Sequence, residues 1–321
     1  MGGHDETLTT RDRFRGALLG LAVGEAMGAP AEFLTADQIV EKYGFITEMI
    51  GGGIYDVAPG ETIDATEMML CLAESLADVG GFDPEDIIER YRLWFESQPR
   101  HVSLTVRATL LSYRSGTHWD LASRRAFEIL GGPTAGNGSV IRCAPVGLRY
   151  YADAETRHEL SHRESTLTHF DLLAGWSCAA FNDLVTAAIH GDLREQVPAI
   201  AATLDEEDRR VSTMLTDTLV AEPEELRSSS FVLDTLQTAL WTVLHATTFE
   251  HGVCAAVNMG GDASSVGAVA GALAGAVYGE TGIPPRWLAP LHGRERIAAV
   301  AERLADLALG ASPPPPSGGA T

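Results

Sequence analysis

The apolar residues of this chain recur mainly at spacings of three and four, and the period-two alternation of β-strands is scarce. This pattern predicts helices along almost the whole chain. In one of them, Asp83 is placed as an N-cap and Pro84 as the first helical residue. The predicted helices cover residues 11–27, 65–78, 87–98, 104–115, 119–129, 140–151, 172–190, 193–204, 212–219, 232–246, 249–257, 266–278 and 294–309. The expected fold class is therefore all-α.

No Pro/Gly/Ser-rich linker interrupts the interior, which predicts a single domain over residues 11–309. The polar residues 1–10 are expected to form a flexible N-terminus. Residues 310–321 contain Pro313–Pro316 and are expected to form a disordered tail. The chain has 321 residues, of which 45% are hydrophobic, so a sizeable core can form.

Two of the predicted helices carry a glycine at every fourth position. Each glycine inside a helix costs about 1 kcal/mol relative to alanine, so four in one row imply a compensating gain. The expected gain is close contact between two helix backbones at the centre of the bundle. The rows are Gly16, Gly20, Gly24 and Gly28 in the first helix, and Gly267, Gly271, Gly275 and Gly279 in the second.

Composition narrows the classes of partner and compartment. The net charge is −21, which disfavours binding to nucleic acid or to an anionic membrane surface. The four cysteines form no CxxC pair, and free thiols are typical of a reducing cytoplasm. No apolar signal core follows Met1, and the longest apolar run, residues 266–279, is too short and too weakly apolar to span a bilayer. We expect a cytoplasmic protein with no membrane contact.

Two segments place acidic residues at helix ends. Glu25 and Glu32 lie at or beyond the end of the first glycine-rich helix, where surface carboxylates are the simplest alternative. In the segment from Pro59 to Met68, a Pro-Gly turn leads into a helix, and Thr62 or Asp64 could be no more than an N-cap.

Two further segments offer groups at helix starts. The Gly136-Asn137-Gly138-Ser139 loop, with Arg142 one turn later, could present backbone N–H groups and positive charge to an anion, although it could also be a simple turn. The fourth segment, Gly260 to Ser265, contains Asp262 and could also be only a helix cap.

Taken together, the order and spacing of these four segments resemble the ADP-ribosylglycohydrolase family over roughly Arg11 to Trp287. Leu167-Thr168-His169 and Gly271 to Gly279 are among the supporting matches. The resemblance implies an all-α bundle with a central cleft. It also implies a pair of Mg²⁺ or Mn²⁺ ions and hydrolysis of the bond between ADP-ribose C1″ and an acceptor.

The chain departs from the family at its metal-binding motifs. Ile63-Asp64-Ala65-Thr66 stands where Thr-Asp-Asp-Thr is typical, Asp262-Ala263-Ser264-Ser265 where Asp-x-Asp-Thr is typical, and Gly24-Glu25 where Gly-Asp is typical. Because Mg²⁺ prefers oxygen ligands that include carboxylates, these losses predict one weakly held Mg²⁺ or Mn²⁺ ion, or none. Its ligands would come from Asp64, Asp262, Thr66 and Ser265.

The resemblance also assigns the remaining site residues. The expected catalytic residues are Glu32, Glu25, Asp64 and Asp262, and the expected substrate-binding residues are Gly136, Asn137, Gly138, Ser139 and Arg142. Without dications, facing carboxylates repel each other and one can rise in pKa, which creates a general acid suited to an oxocarbenium-like transition state.

Two functions follow from this set. The first is a hydrolase that cleaves a ribosyl C1–N or C1–O bond in an ADP-ribose-like or NAD-derived compound. Its substrate could be a small metabolite instead of a modified protein. The expected oligomeric state is a monomer or a homodimer. The second is an inactive protein that only binds ADP-ribose, since the same losses of metal ligands suit both.

Overall fold

The structure is a computed structural model that describes residues 8–310. In this range the chain forms sixteen α-helices, three short 3-10 helices and only isolated β-bridges, which confirms the all-α prediction. The α-helices are α1 (Thr10–Gly28), α2 (Ala36–Tyr43), α3 (Asp64–Val79), α4 (Pro84–Glu96), α5 (Leu104–Arg114), α6 (Trp119–Ile129), α7 (Ala144–Arg149), α8 (Ala154–Thr166), α9 (Leu172–His190), α10 (Leu193–Leu204), α11 (Arg209–Thr218), α12 (Val232–Leu244), α13 (Phe249–Val257), α14 (Ala263–Tyr278), α15 (Pro285–Leu288) and α16 (Arg294–Leu309). The 3-10 helices are Ala29–Ala31, Pro223–Glu225 and Glu280–Gly282.

The helix predictions were wrong in four regions, one of which is the short helix α15, which was not predicted. The helix predicted over residues 140–151 is only the six residues of α7, because residues 137–142 form turns and Pro145 lies in the first turn of α7. The short helix α2 was not predicted. Helix α8 was also missed, because most of its sequence is polar and its buried residues include Arg157 and Glu164 rather than an apolar stripe. The flexible N-terminus predicted for residues 1–10 and the disordered tail predicted for residues 310–321 lie outside the described residues, except for residues 8–10 and 310.

The two glycine rows face each other along the antiparallel helices α1 and α14. A Cβ added to Gly16, Gly20, Gly24 or Gly28 would lie closer than 3.0 Å to backbone atoms of α14 or of its C-terminal boundary. A Cβ added to Gly267, Gly271 or Gly275 would likewise lie closer than 3.0 Å to backbone atoms of α1. The predicted close approach of two central helices is therefore confirmed. It sets the C-terminal end of α1 against the N-terminal end of α14.

Helix α9 also belongs to the core. Within the described residues it is the one helix with the length and hydropathy of a membrane span, yet 83% of its apolar window is buried inside the fold. All four cysteines are free, and Cys143, Cys178 and Cys254 are buried, as expected for unpaired core thiols.

Candidate active site

Helices α1 and α14 bring acidic side chains together at one end of the bundle. The last residue of α1, Gly28, contacts Ala263 at the start of α14. Glu25 lies in the last turn of α1, Glu32 follows the 3-10 turn after it, and Asp262 is the N-cap of α14. With Asp64, the first residue of α3, these side chains form what we call the carboxylate cluster, and each is at most 8% exposed.

Within the cluster, Glu25 caps a helix other than its own. Ile63, the residue before α3, provides no side-chain cap. Instead, the Glu25 carboxyl oxygens accept hydrogen bonds from the backbone N–H groups of Ile63 (3.1 Å), Ala65 (2.7 Å) and Thr66 (3.1 Å). Burial, followed by the charge of Asp64, raises the pKa of Glu25 to about 8. Glu25 is thus a mostly protonated carboxyl near neutral pH, fixed to the start of α3.

Glu32 makes a similar but looser contact with α14. Asp262, the N-cap of that helix, provides no side-chain cap, and the N–H of Ser264 donates to a Glu32 carboxyl oxygen at 2.9 Å. Burial, followed by the charge of Asp262, raises the pKa of Glu32 well above its ordinary value. Two neighbouring buried carboxyls cannot both ionise without a large cost. The neighbouring Asp262 therefore favours the protonated form of Glu32.

The Gly136–Ser139 loop is joined to the cluster through Asn137. The Asn137 side-chain amide donates to Asp262 at 3.0 Å and to the Thr235 hydroxyl at 2.9 Å. The N–H groups of Gly138 and Ser139 are buried, yet no hydrogen bond to an acceptor in residues 8–310 uses them. Buried N–H groups without acceptors are uncommon in proteins and suit the oxygens of a ligand.

His169 adds a side-chain donor beneath the same loop. Its ring packs against Gly138, where an added Cβ would lie 2.9 Å from Cε1. The guanidinium of Arg142 donates to the Thr168 hydroxyl (2.7 Å), so the Thr168 hydroxyl is free to donate to Nδ1 of His169 (2.8 Å). Burial, followed by the charge of Arg142, lowers the pKa of His169 to about 3, so the ring is neutral and its proton lies on Nε2. In the described part of the chain, no acceptor meets this Nε2–H.

Arg142 itself supports the loop from behind instead of facing a ligand. Its side chain is fully buried and bonds to Glu164 (2.8 Å) and to the Gly138 carbonyl (3.0 Å), with the ring of Tyr91 4.8 Å away. The Ser139 hydroxyl accepts a bond from the Ser165 hydroxyl. The structure therefore gives Arg142 a structural position, and the part of this segment left for a ligand is mainly backbone.

Comparison with known proteins identifies the fold. Residues 6–314 match the family model of the ADP-ribosylglycohydrolases. The chain is 36% identical to the ADP-ribosyl-[dinitrogen reductase] glycohydrolase of Rhodospirillum rubrum, over 88% of this chain and 91% of the relative. It is 33% identical to the ADP-ribosylarginine hydrolase Tri1 of Serratia proteamaculans, over 91% and 79% of the two chains. A solved ADP-ribosylglycohydrolase-related protein complex shares the fold with a TM-score of 0.80 and 35% identity, over 93% of this chain and 99% of that one.

The chain belongs to the ADP-ribosylglycohydrolase family. Membership confirms both the predicted fold and the predicted enzyme class, a hydrolase of ADP-ribosyl glycosidic bonds.

The donor set of this ADP-ribosylglycohydrolase does not fit the pair of dications that the family implies. Ala65 and Ser264 carry no carboxylate, and the Glu25 oxygens hold three backbone N–H groups. The Thr66 hydroxyl is buried without a hydrogen-bond partner and could serve as one ligand, as could the hydroxyl of Ser265. Among residues 8–310, however, no group of three or more His, Cys, Asp or Glu side chains could hold a metal ion.

Two aromatic residues beside the cluster were missed by the sequence analysis. Nδ1 of His101 lies 2.9 Å from a carboxyl oxygen of Asp64. Burial alone would lower the pKa of His101, but the bond to Asp64 and the nearby carboxylates outweigh it and raise that pKa. The ring of Tyr55 lies 5.0 Å from the His101 ring, and its pKa is raised by burial and then by the four carboxyl groups of the cluster. Both residues lie in loops without an apolar pattern, so only the fold brings them to the site.

A cavity of about 620 Å³ lies elsewhere, along α9 and α10. Its lining includes Arg157 and Asp183, which pair with each other at 2.8 Å, and Asp192, which bonds to Gln196. These groups are committed to structural contacts, so the carboxylate cluster is the better candidate for the active site.

Proposed function

We propose that this ADP-ribosylglycohydrolase cleaves the bond between C1″ of an ADP-ribosyl group and a nitrogen or oxygen acceptor without a pair of metal ions. The observation that carries the proposal is the pair of neighbouring buried carboxyls of Glu32 and Asp262, which lies beside the Gly136–Ser139 loop. Such a pair can perform acid and base chemistry with no external cation.

In the proposed reaction, Glu32 is the general acid. It donates its proton to the leaving nitrogen or oxygen as the bond to C1″ breaks. The positive charge that develops on the ribose is stabilised by the carboxylate of Asp262, as in other glycosidases with two carboxyl groups. A water molecule then adds to C1″ and returns a proton to the carboxyl pair, which restores the starting state.

The other end of the substrate would be held by hydrogen-bond donors. The N–H groups of Gly138 and Ser139, with Nε2–H of His169, face no protein acceptor among the described residues and suit phosphate or ribose oxygens. Asn137 would hold this loop beside the carboxyl pair, because its side-chain amide donates to Asp262. Arg142 would act only by holding the loop and by orienting His169 through Thr168.

We further propose a small ADP-ribose-like or NAD-derived compound as the substrate, in a cytoplasmic protein. The relatives named above act on an ADP-ribosylated reductase and on ADP-ribosylarginine. The present chain differs from the family motifs at Ala65 and Ser264, beside the carboxylate cluster, and such a change suits a different acceptor.

The proposal is tested by following ADP-ribose release by chromatography from ADP-ribosylarginine, ADP-ribosylated peptide, NAD and ADP-ribosylated small amines. We expect wild-type turnover of at least one substrate, unchanged by EDTA, and its loss in Asp262→Ala. Asp217→Ala is the matched control, because Asp217 is exposed on α11 away from the cluster.

Each outcome separates the alternatives. Equal rates for wild type and Asp262→Ala would contradict the assigned mechanism. Loss of activity in EDTA would show that a dication takes part. ADP-ribose binding by calorimetry, with no turnover of any substrate at any metal concentration, would instead favour the inactive binding protein.

A further inference from the structure

We propose that His101 occupies an oxygen of Asp64 that a metal ion would need, and so disfavours divalent cations at this site in addition to the absence of carboxylates at positions 65 and 264. The inference rests on the proposed function only for the location of the site. It concerns what the carboxylate cluster binds, so it can be tested without substrate.

The contact between His101 and Asp64 is short and its surroundings hold it in place. Nδ1 of His101 lies 2.9 Å from Oδ1 of Asp64, whose side chain is only 8% exposed. An ionised carboxylate can only accept, so Nδ1 must carry the hydrogen, and this holds for a neutral or a charged ring. The contact therefore does not depend on the protonation state of the imidazole.

The chain around His101 is fixed by its neighbours. The Arg100 guanidinium bonds to Glu61 at 2.8 Å and to the Tyr55 carbonyl at 3.3 Å, which joins this segment to the loop that carries Tyr55. The Tyr55 ring then lies against the imidazole. On the other side, Ser103 caps α5 two residues after His101. The segment that carries His101 is thus fixed on both sides, and the Tyr55 ring packs against the imidazole itself.

An ion at this position would have to displace the imidazole. A dication binds a carboxylate oxygen at about 2.0–2.1 Å for Mg²⁺, along the same lone-pair directions that a hydrogen-bond donor uses. An N–H at 2.9 Å from Oδ1 occupies one of these directions, so an ion that used this oxygen would compete with the imidazole. Glu25 offers no replacement, because moving it to a metal would leave three N–H groups of α3 without their acceptor.

Restoring the family carboxylates alone should not be enough to give tight metal binding. Ala65→Asp with Ser264→Asp returns the two missing carboxylates but leaves His101 on Asp64. We expect this double variant to bind Mn²⁺ at least tenfold more weakly than the triple variant that also carries His101→Ala. Binding is measured by the electron paramagnetic resonance of free Mn²⁺ and by calorimetry with Mg²⁺, with circular dichroism to check folding. Wild type and the single variant His101→Ala are the matched controls and should bind neither ion.

Two outcomes would overturn the inference. Equal affinity of the double and triple variants would show that His101 does not exclude the ion. Tight Mn²⁺ or Zn²⁺ binding by wild type that is lost in His101→Ala would show that His101 is itself a metal ligand. Neither result bears on whether the protein hydrolyses an ADP-ribosyl bond, which the activity assay decides separately.

A second measurement uses the wild-type protein alone and so does not depend on the folding of a variant. In ¹⁵N-edited nuclear magnetic resonance of the imidazoles, we expect His101 to show a proton on Nδ1 that persists when Mg²⁺ is added. Loss of that signal in Asp64→Asn would assign it to this contact. A shift of the signal on titration with Mg²⁺ would contradict the inference.

Discussion

The starts of α3 and α14 are two versions of the same arrangement. Neither helix has a side-chain cap from its own N-cap residue. Each is instead capped by a glutamate, which comes from the last turn of α1 at α3 and from the end of the following 3-10 turn at α14. Glu25 accepts three N–H groups at α3, whereas Glu32 accepts one at α14 and has the acidic Asp262 as its neighbour.

The difference between the two ends separates structure from chemistry. A carboxyl with three backbone partners cannot move without leaving those N–H groups unpaired, so Glu25 is suited to holding α3. A carboxyl with one backbone partner and an acidic neighbour can transfer a proton at little structural cost, so Glu32 is suited to catalysis. Both lie at the same end of the α1–α14 pair, and the close packing of these two helices sets their relative positions.

The largest expected difference is in catalysis. Glu32→Gln removes the proposed general acid while keeping size and polarity, so we expect kcat to fall by ~10²–10⁴. Glu25→Gln keeps a neutral side chain with an acceptor oxygen, and we expect a loss within about tenfold because no proton transfer is removed. Single-turnover release of ADP-ribose measures both, with binding checked by calorimetry. Equal losses in the two variants would remove the distinction between the two ends.

For stability, we expect the larger loss on replacing Glu25 and the smaller loss on replacing Glu32. Glu25→Ala leaves three buried N–H groups without an acceptor, which should lower the free energy of unfolding by ~2–4 kcal/mol. Glu32→Ala leaves one such group and also relieves the crowding of two carboxyls, so we expect a change within ~1 kcal/mol of zero. Urea unfolding followed by circular dichroism gives both values. A larger loss for Glu32→Ala would contradict the structural assignment of Glu25.

The glycine rows offer a way to move the glutamates without altering them. Gly24→Ala and Gly16→Ala each place a Cβ against the backbone of α14 or its C-terminal boundary, and each should cost ~1–3 kcal/mol of stability. Only Gly24 is next to Glu25, so only Gly24→Ala should also lower the rate of ADP-ribose release. Gly252→Ala is the control, since its nearest neighbour would be the Ala246 side chain at 3.3 Å. Equal rates of ADP-ribose release in Gly16→Ala and Gly24→Ala would show that the packing of α1 against α14 does not position the site.

Much of this arrangement is predictable from the sequence, because the signals are local. The glycine rows predict the close helix pair, and the acidic residues near their ends predict the positions of Glu25, Glu32 and Asp262. The helix starts at Asp64 and Asp262 follow from their position in front of apolar periodic segments. These signals do not show which hydrogen-bond partner each buried polar group has. The acceptor for the N–H groups of α3, for example, comes from a different helix.

The residues that the sequence analysis missed or misplaced depend on contacts distant in the chain. His101 and Tyr55 lie in irregular loops and meet Asp64 only after folding. Arg142 has the right position in the sequence for an anion contact, but Glu164, in the unpredicted helix α8, draws its guanidinium into the core. A polar helix has no apolar stripe to reveal it, so the buried ion pair could not be foreseen.

The raised pKa of Glu25 should also make the stability of the protein depend on pH. The pKa of Glu25 is about 8 in the folded protein and near 4.5 when unfolded, so between these values only the folded state keeps the proton. Unfolding then releases a proton, and stability must fall as the pH rises through this window. The contribution is fully present below about pH 4.5 and is lost as the pH passes about 8. Glu32 and His101, whose folded pKa values are also raised, act in the same direction.

The Glu25 share of this slope can be isolated with Glu25→Gln, which cannot titrate. We expect its free energy of unfolding, measured in urea from about pH 5 to pH 8, to fall less steeply than that of wild type. Glu32→Gln should also flatten the slope, while the exposed-site control Glu224→Gln should leave it unchanged. A wild-type slope in Glu25→Gln would mean that Glu25 is already ionised at α3. In that case a negative charge, rather than a proton-bearing carboxyl, holds the helix, and the contrast with Glu32 would rest on hydrogen-bond number alone.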